Sequence, residues 1–241
     1  MGRLWLVVLL ILPLKLFGQD VVVSYNIRNG HGMDSKCDLD RTSRVINSLG
    51  ARFVALQEVD SVTARSGGVD VLSILAQKCN MEGSYARAIP YDGGAYGIGL
   101  LSCEKPLSLR RIPLDGREEA RVLLIAEFED CILFCTHFSL TAPDQMSSIK
   151  RVIALAKEYK KRVFFMGDLN LEPSSEQFKL LKQHFHLLSD ATAHTYPADE
   201  PATTIDYIWS NKKLRVSEAT VVSCPTESDH RPVMVRLKNN F

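Results

Sequence analysis

The heptapeptide FFMGDLN, residues 164–170, decides how the rest of the sequence is interpreted. It contains most of an apolar run at 163–166, which is typical of a buried β-strand. A glycine then permits close backbone approach, and Asp168 and Asn170 follow on either side of Leu169. Because residues two apart in extended chain share a face, we expect both polar side chains on one face and Leu169 in the core. A simple turn would also produce one such ending.

Similar short apolar runs recur along the chain, and their content of Val, Ile, Leu and Phe suits sheets that are buried on at least one face. The predicted strands are 21–27, 53–57, 97–102, 122–128, 132–138, 163–166, 205–209, 219–222 and 233–237. The runs at 122–128 and 132–138 are separated by Glu129 and Asp130, which predicts a hairpin.

Segments with helical spacing lie between the strands. The predicted helices are 39–49, 71–79, 143–159 and 175–185. Thr141 and Asp144 resemble a capping box at the start of the third helix. Helices interspersed with hairpins predict one α/β domain, a sandwich with mixed sheets.

The overall charge limits the classes of binding partner. The chain has 29 Lys and Arg residues against 28 Asp and Glu residues, a formal net charge of +1. This balance argues against a chain-wide polybasic surface for nucleic acid, although a local basic groove stays open. Hydrophobic residues make up 46% of the 241 residues, which is enough for a full core without a metal or disulfide.

The first eighteen residues have the pattern of a secretory leader. Arg3 precedes an apolar run at 4–14 that is too short to span a bilayer comfortably, and Lys15 follows it. We therefore expect residues 1–18 to be a signal peptide and residues 19–241 to form the exported domain, periplasmic or extracellular. Leu16 is larger than the usual residue three positions before cleavage, so an uncleaved anchor is the alternative. After leader removal we expect no stable membrane insertion.

Six cysteines in an exported chain raise the question of disulfides. Cys131 and Cys135 lie in one predicted strand, where four residues of about 3.3 Å separate them by roughly 13 Å, beyond bridging distance. Their apolar neighbours indicate buried core residues rather than metal ligands. The pairing of the other four cysteines stays open.

Polar residues at the strand ends are the main functional signal. They are rich in carboxylates, amides and imidazoles, and strands packed in two layers can bring such ends to one edge. Hard oxygen ligands of this kind hold Mg²⁺, Mn²⁺ or Ca²⁺ beside a phosphate. The residues are Asn26, Gln57, Glu58, Thr136, His137, Asp168, Asn170, Asp206, Asp229 and His230.

Several motifs together resemble the endonuclease/exonuclease/phosphatase superfamily, which has the fold of pancreatic deoxyribonuclease. They are SYNIRNGHG (24–32), ALQEVD (55–60), YGIGLLS (96–102), THF (136–138), MGDLN (166–170), IDYIW (205–209) and SDHRPV (228–233). The resemblance covers almost all of residues 19–241. It implies a four-layer α/β sandwich of two packed mixed β-sheets flanked by helices. It also implies metal-assisted hydrolysis of a phosphodiester or phosphomonoester by in-line attack of water.

The resemblance also implies a metal site that takes Mg²⁺ or Mn²⁺, with Ca²⁺ as a further candidate. Glu58 corresponds to the principal metal ligand, and Asn26 lies beside it. Asp229 corresponds to the residue that approaches a metal from the other side.

Five further residues resemble the catalytic set. Asp168 corresponds to the group that orients or deprotonates water, and Asn170 to a donor to the phosphate. His230 corresponds to the histidine that stabilises pentacovalent phosphorus, and Asp206 to the carboxylate that holds its ring. His137 resembles a second phosphate-contacting histidine. The sequence leaves open whether Asp168 or His230 takes the proton of the attacking water.

The roles of four other residues and one segment stay open or are structural. Asp70 is either an acid supporting the first histidine or a helix N-terminal aspartate. Arg28 and Tyr96 either contact substrate or are an ordinary surface arginine and a packed tyrosine. We expect Arg231 to be a structural neighbour of the site and the segment 117–119 to be a solvated turn.

The substrate is a phosphate ester whose identity the sequence leaves open. The basic clusters at 110–111 and 160–162 are modest, so nucleic acid is one candidate among small-molecule and lipid esters. No apolar hairpin for membrane contact is evident beyond the leader. A non-catalytic binding domain on the same scaffold is the alternative function. We expect a monomer.

The leader gives a direct prediction. Intact-mass and N-terminal analysis of the exported protein should show a mature chain that begins near Gln19. Loss of Arg3 and Lys15 changes the formal charge from +1 to −1, because 27 basic residues then face the same 28 acidic ones. An exported protein that still begins at Met1 or Gly2 would contradict the prediction.

Overall fold

Residues 20–224 and 226–238 are described by the computed structural model, and the predicted leader at 1–18 lies outside them. In this part of the chain, no helix combines the length and the apolar composition needed to cross a membrane.

Two six-stranded mixed sheets form the centre of the fold in the part of the chain that the structure describes. The first contains β1 (Val21–Asn26), β2 (Phe53–Ser61), β3 (Glu82–Tyr91), β4 (Gly94–Ser102), β11 (Val216–Val221) and β12 (Val233–Leu237), in the order β11-β12-β1-β2-β4-β3. The second contains β5 (Ser108–Leu114), β6 (Arg121–Glu127), β7 (Cys131–His137), β8 (Arg162–Asp168), β9 (His186–Leu187) and β10 (Asp206–Ser210), in the order β5-β6-β7-β8-β10-β9. Each sheet has one parallel pair at its centre, β1 with β2 and β7 with β8.

Helices cover the outer face of each sheet. They are α1 (Leu39–Ser48), α2 (Val71–Cys79), α3 (Ala142–Ala156) and α4 (Glu176–His184). The first two pack on the first sheet and the last two on the second, while a third apolar cluster fills the space between the sheets. This arrangement confirms the predicted four-layer sandwich.

The alternation of side chains along each strand explains the layers. In β8, Phe164 and Met166 face the other sheet, whereas Val163 and Phe165 face the helices. Because the period is two, Asp168 continues the inward row of Phe164 and Met166 at the strand end. The polar site is therefore the continuation of the core between the sheets.

The predicted elements differ from the structure mainly at the sheet edges. Strands β3, β5 and β9 were absent from the prediction, and all three are edge strands. Edge strands face solvent along one side, so β5 carries Arg110 and Arg111 where a central strand would be apolar. The predicted hairpin between β6 and β7 is present, and Cys131 and Cys135 are buried and unbridged as predicted.

The predicted capping box at the third helix is wrong in detail. Thr141 is the N-cap residue of α3, but its side chain caps no backbone N–H. Its hydroxyl instead donates to Asp144 Oδ2 at 2.9 Å. The helix also ends at Ala156, one turn earlier than predicted.

Gly167 is needed at a close contact between the two central strands of the second sheet. It lies opposite Thr136 in the parallel pairing of β7 with β8. A Cβ atom at this position would lie 2.0 Å from the Thr136 carbonyl oxygen, which is backbone and cannot move aside. The glycine expected from the sequence to permit close approach therefore does so in the structure.

Replacement of this glycine should be strongly destabilising. Gly167→Ala should lower the free energy of unfolding by at least about 2 kcal/mol, because one strand must shift away from the other. Gly50→Ala is the control, since Gly50 has φ +57° but open space around its Cβ position. Its cost should be limited to about 1 kcal/mol of backbone strain. Denaturant titration measures both, and equal losses would show that the close contact is unimportant.

Candidate active site

The polar strand ends converge at one edge of the sandwich. Asn26 ends β1, His137 ends β7, Asp168 ends β8, and Asp206 begins the antiparallel β10. Asp168 is in register with both His137 and Asp206, so three of these side chains lie on adjacent strands. All four are buried. His230 joins them from the segment before β12.

Asp168 is the centre of this cluster. Its Oδ2 accepts a hydrogen bond from Asn26 Nδ2 at 3.1 Å and lies 3.5 Å from His137 Nε2 and 3.6 Å from His230 Nε2. Its Oδ1 accepts from the backbone N–H of Asn170 at 3.0 Å. Burial raises the pKa of this carboxyl, which makes it a better proton acceptor than an exposed aspartate.

His230 is held as a cation between two carboxylates. Its Nδ1 lies 2.9 Å from Asp206 Oδ2, and its Nε2 faces Asp168. Burial alone would lower the pKa of His230, but the two carboxylates raise it to about 10. The imidazolium can therefore present positive charge in the cleft at neutral pH.

The second histidine has the opposite electrostatics. Burial lowers the pKa of His137 to about 4, despite the nearby Asp168 carboxylate. His137 is therefore neutral at pH 7 and can serve as a hydrogen-bond donor without adding charge. Both predicted histidines have their Nε2 atom close to Asp168 Oδ2, but His230 is protonated at pH 7 and His137 is neutral.

Glu58 reaches the site through a β-bulge. The pairing of β2 with β4 shifts register between Leu56 and Val59, and Glu58 has φ +57°. Regular alternation would turn Gln57 inward and Glu58 outward, whereas the bulge leaves Gln57 buried and brings Glu58 into the cleft. The strand predicted to end at Gln57 therefore continues to Ser61.

The donor set fits a divalent cation. Asn26 Nδ2 donates to Glu58 Oε1 at 3.1 Å, and Glu58, Asp168 and Asp229 line one cleft. Burial raises the pKa of Glu58, and the charges of Asp229 and Asp168 raise it further. Such mutual repulsion between carboxylates is what a bound cation relieves, and oxygen donors are the ligands that Mg²⁺ and Mn²⁺ prefer.

A second group is less suited to a metal. Ligand atoms of Asp168, Asp206 and His230 lie within 4.8 Å of one another. Both nitrogens of His230, however, already face carboxylate oxygens, so the imidazolium is the counter-charge in this group. We therefore take Glu58 and Asp229 as the candidate metal ligands, with Asn26 beside Glu58, where its Nδ2 donates to the carboxylates and its Oδ1 accepts from Arg28 N.

The cleft beside these residues has a volume of about 510 Å³. The sequence analysis did not identify lining residues such as Leu140 and Tyr196, since neither an apolar period nor a strand end marks them. The lining residues are Glu58, Tyr96, Glu118, Glu119, Arg121, His137, Leu140, Asp168, Asn170, Tyr196, Ile205, Asp229 and His230.

The segment 117–119 is a bend with Arg117 and Glu118 exposed, which confirms the predicted solvated turn, but its side chains also bond to α3 and to the residues after β7. Arg117 pairs with Asp144 at 2.8 Å. Glu118 accepts hydrogen bonds from Ser139 Oγ and Leu140 N, each at 2.8 Å. The segment is therefore a fixed wall of the cleft.

Asn170 lies in the cleft for a different reason than predicted. The strand ends at Asp168, and Asn170 has φ +51°, so extended-chain alternation does not place it. Its Nδ2 donates to the Phe138 carbonyl at 3.0 Å, which fixes the side chain at the cleft edge. Leu169 packs in the cluster beneath α3 and α4, as expected.

Asp70, Arg28 and Arg231 each have a defined contact in the structure. Asp70 caps α2 by accepting from Ser73 N, so the helix-terminal alternative describes it. Arg28 Nε lies 3.6 Å from Asp229 Oδ2, at the edge of the candidate metal site. Arg231 donates to the Ala198 carbonyl at 2.7 Å, the structural role expected for it.

A four-layer sandwich with this cluster at one sheet edge defines a class of phosphoester hydrolases. The chain belongs to the Endonuclease/Exonuclease/phosphatase family, whose model matches residues 23–230. The family identified from the motifs is thereby confirmed. Among curated protein sequences, none matches the chain.

Solved structures show the same fold. A family member from Beutenbergia cavernae is 18% identical with a TM-score of 0.76, covering 91% of this chain and 72% of its own. One from Bacteroides vulgatus is 18% identical with a TM-score of 0.76, covering 92% and 100%. A Bacteroides thetaiotaomicron mannosyl-6-phosphatase is 16% identical with a TM-score of 0.69, covering 92% and 100%.

The fixed wall gives a pH-dependent prediction. Burial alone would raise the pKa of Glu118, but the hydrogen bonds that it accepts lower it to about 2, from an ordinary value of 4.5. A depressed folded-state pKa gives stability that is present above pH 4.5 and lost as pH falls towards 2. The stability advantage of the wild type over Glu118→Gln should shrink over this range in denaturant titrations. An advantage that does not change with pH would contradict the assignment.

Proposed function

We propose that the chain is an exported, divalent-metal-dependent phosphoesterase that hydrolyses a phosphodiester or phosphomonoester by in-line attack of water. The observation that carries the proposal is the meeting, in one cleft, of the His230 imidazolium, the Asp168 carboxylate and the Glu58 carboxylate. Export rests on the leader pattern of residues 1–18. The partner is a phosphate-ester substrate, and the enzyme acts as a monomer.

The metal would be held by Glu58 and Asp229, with Asn26 beside them, and would be Mg²⁺ or Mn²⁺, with Ca²⁺ as a further candidate. When bound, the cation supplies positive charge that neutralises phosphate oxygens. Asn26 bridges Glu58 and Asp168 through one amide nitrogen, with both contacts at 3.1 Å. This amide keeps the two carboxylates at a fixed separation without adding charge.

Asp168 orients the attacking water and takes its proton. Its raised pKa favours proton acceptance, and its Oδ2 lies beside both histidines in the cleft. His230 donates through Nε2 to the phosphate oxygen on which negative charge develops. Asp206 keeps the imidazole ring oriented and charged through its contact with Nδ1.

Two neutral groups complete the phosphate site. His137 donates a hydrogen bond as a neutral imidazole, and Asn170 donates from the cleft edge. Neutral donors can bind a phosphate oxygen in the ground state and in the transition state without a second buried cation.

The alternative is a non-catalytic binding domain. Such a domain has no need for a charged histidine between two carboxylates, and this chain keeps every member of the predicted set in one cluster. The structural neighbour named as a mannosyl-6-phosphatase supports the inclusion of phosphomonoesters among the substrates to be tested.

Two substitutions test the mechanism. Glu58→Ala and His230→Ala should each lower kcat/KM by at least about a hundredfold. The first removes a carboxylate that would hold the metal, and the second removes the cation that donates to the phosphate oxygen. The measurement uses 4-nitrophenyl phosphate and bis(4-nitrophenyl) phosphate with Mg²⁺ or Mn²⁺. Chelation with EDTA should abolish the activity, and readdition of the metal should restore it.

His184→Ala is the matched control, since His184 is exposed on α4 away from the cleft. It should retain wild-type activity, and circular dichroism should show all variants folded. Full activity in either site variant would remove that residue from the mechanism. No hydrolysis of either ester, together with no Mn²⁺ binding by calorimetry, would favour the binding domain.

A further inference from the structure

The charges of the cleft restrict the part of the substrate that lies beyond the scissile phosphate. Among the described residues that line the cleft, five carry a carboxylate: Glu58, Glu118, Glu119, Asp168 and Asp229. The positive side chains in the same lining are Arg121 and the imidazolium of His230. A bound divalent cation would leave this excess of negative charge only partly neutralised.

Arg121 is not available to a second phosphate group. Its Nη2 lies 3.1 Å from Glu118 Oε1, and its Nη1 lies 2.8 Å from Glu119 Oε1. The side chain is 5% exposed, so the guanidinium is enclosed by its own counter-ions. A nucleic-acid strand presents a phosphate at every nucleotide and needs lysine or arginine along its path. The wall at 118–121 offers carboxylates instead, and the guanidinium of Arg28, at the edge of the candidate metal site, lies 3.6 Å from Asp229 Oδ2.

The same wall offers hydrogen-bonding groups with unused capacity. Tyr96 lines the cleft and is 9% exposed, and its hydroxyl has no hydrogen-bond partner among residues 20–224 and 226–238. Tyr91 and Arg65 pack against its ring, with a Tyr91–Tyr96 centroid distance of 6.1 Å. Glu119 lines the same cleft as Tyr96. Burial raises the pKa of the Tyr96 phenol, and the Glu58 and Glu119 carboxylates raise it further.

Aromatic surface faces the cleft on the histidine side as well. The ring of Tyr196 lies against His230, with 4.8 Å between centroids, and is partly exposed. Since the imidazolium already adjoins this ring, a cationic substrate group beside it would be repelled. A neutral group has no such cost, and its hydroxyls can donate to a carboxylate such as Glu119.

Resting on the proposed function, we propose that the substrate carries one phosphate joined to a neutral polyhydroxylated group, a sugar or polyol. Glu119 and Tyr96 bind its hydroxyls and determine specificity. The wall of Glu118, Glu119 and Arg121 excludes nucleic acid.

The test compares kcat/KM for esters that share the phosphate but differ in the attached group. The full chain, supplied with Mn²⁺ or Mg²⁺, is assayed on mannose 6-phosphate and myo-inositol 1-phosphate. The comparison esters are 4-nitrophenyl phosphate, phosphocholine and a single-stranded DNA oligonucleotide that carries a 5′-phosphate, so that each contains a phosphomonoester. At least one sugar or polyol ester should exceed phosphocholine and the oligonucleotide by about a hundredfold or more.

Conservative variants then test the two specificity residues. Glu119→Gln and Tyr96→Phe each remove one hydrogen-bonding function and should raise KM for the preferred sugar or polyol ester. Their loss of kcat/KM on that ester should exceed their loss on 4-nitrophenyl phosphate by about tenfold. Glu176→Gln, on the exposed first turn of α4, should change neither value.

The outcomes separate the two proposals. Hydrolysis of 4-nitrophenyl phosphate with a preference for phosphocholine or the oligonucleotide would overturn the polyol assignment and leave the phosphoesterase proposal standing. Equal losses on both esters in Glu119→Gln and Tyr96→Phe would remove these residues from specificity. No hydrolysis of any ester would overturn the proposed function itself.

Discussion

The buried Asp168 carboxylate is the interaction on which the site depends. A buried charge is costly unless donors surround it, and here the donors come from both sheets: Asn26 from β1 and His137 from β7, with His230 beside them. These contacts exist only when the ends of β1, β7 and β8 meet at one edge. Packing of the two sheets and assembly of the site are therefore one structural requirement.

The charges on the two sides of Asp168 are balanced differently. Towards the second sheet, the His230 imidazolium lies between Asp206 and Asp168 and satisfies both. Towards the first sheet, Glu58 and Asp229 have the amide of Asn26 and the guanidinium of Arg28 nearby. Each side thus has two carboxylates and one cation, but Glu58 accepts from the neutral Asn26 amide rather than from a cation, so a divalent cation would be stabilised beside Glu58.

Much of the fold and of the central cluster could be predicted because both follow from local pattern. The inward row that ends in Asp168 is set by period two, and the apolar runs mark the central strands. The bulge that turns Glu58 into the cleft could not be predicted, since it depends on a register shift against β4. The contacts that fix the exposed turn around Glu118 could not be predicted for the same reason, because they involve residues distant in sequence, such as Ser139.

The cleft has two walls that differ in their coupling to the chemistry. Glu119 and Arg121 are held by contacts outside the Asp168 cluster, at the start of β6. The wall at 195–203 is bonded directly to the site, since Ala198 N donates to the Asp229 carbonyl and Arg231 N to the Thr195 carbonyl. A change at Glu119 therefore leaves the contacts of Asp168, His230 and Asp229 in place. A change in the second wall would move Asp229 and His230, so divergence of specificity is physically easier at the wall of Glu119.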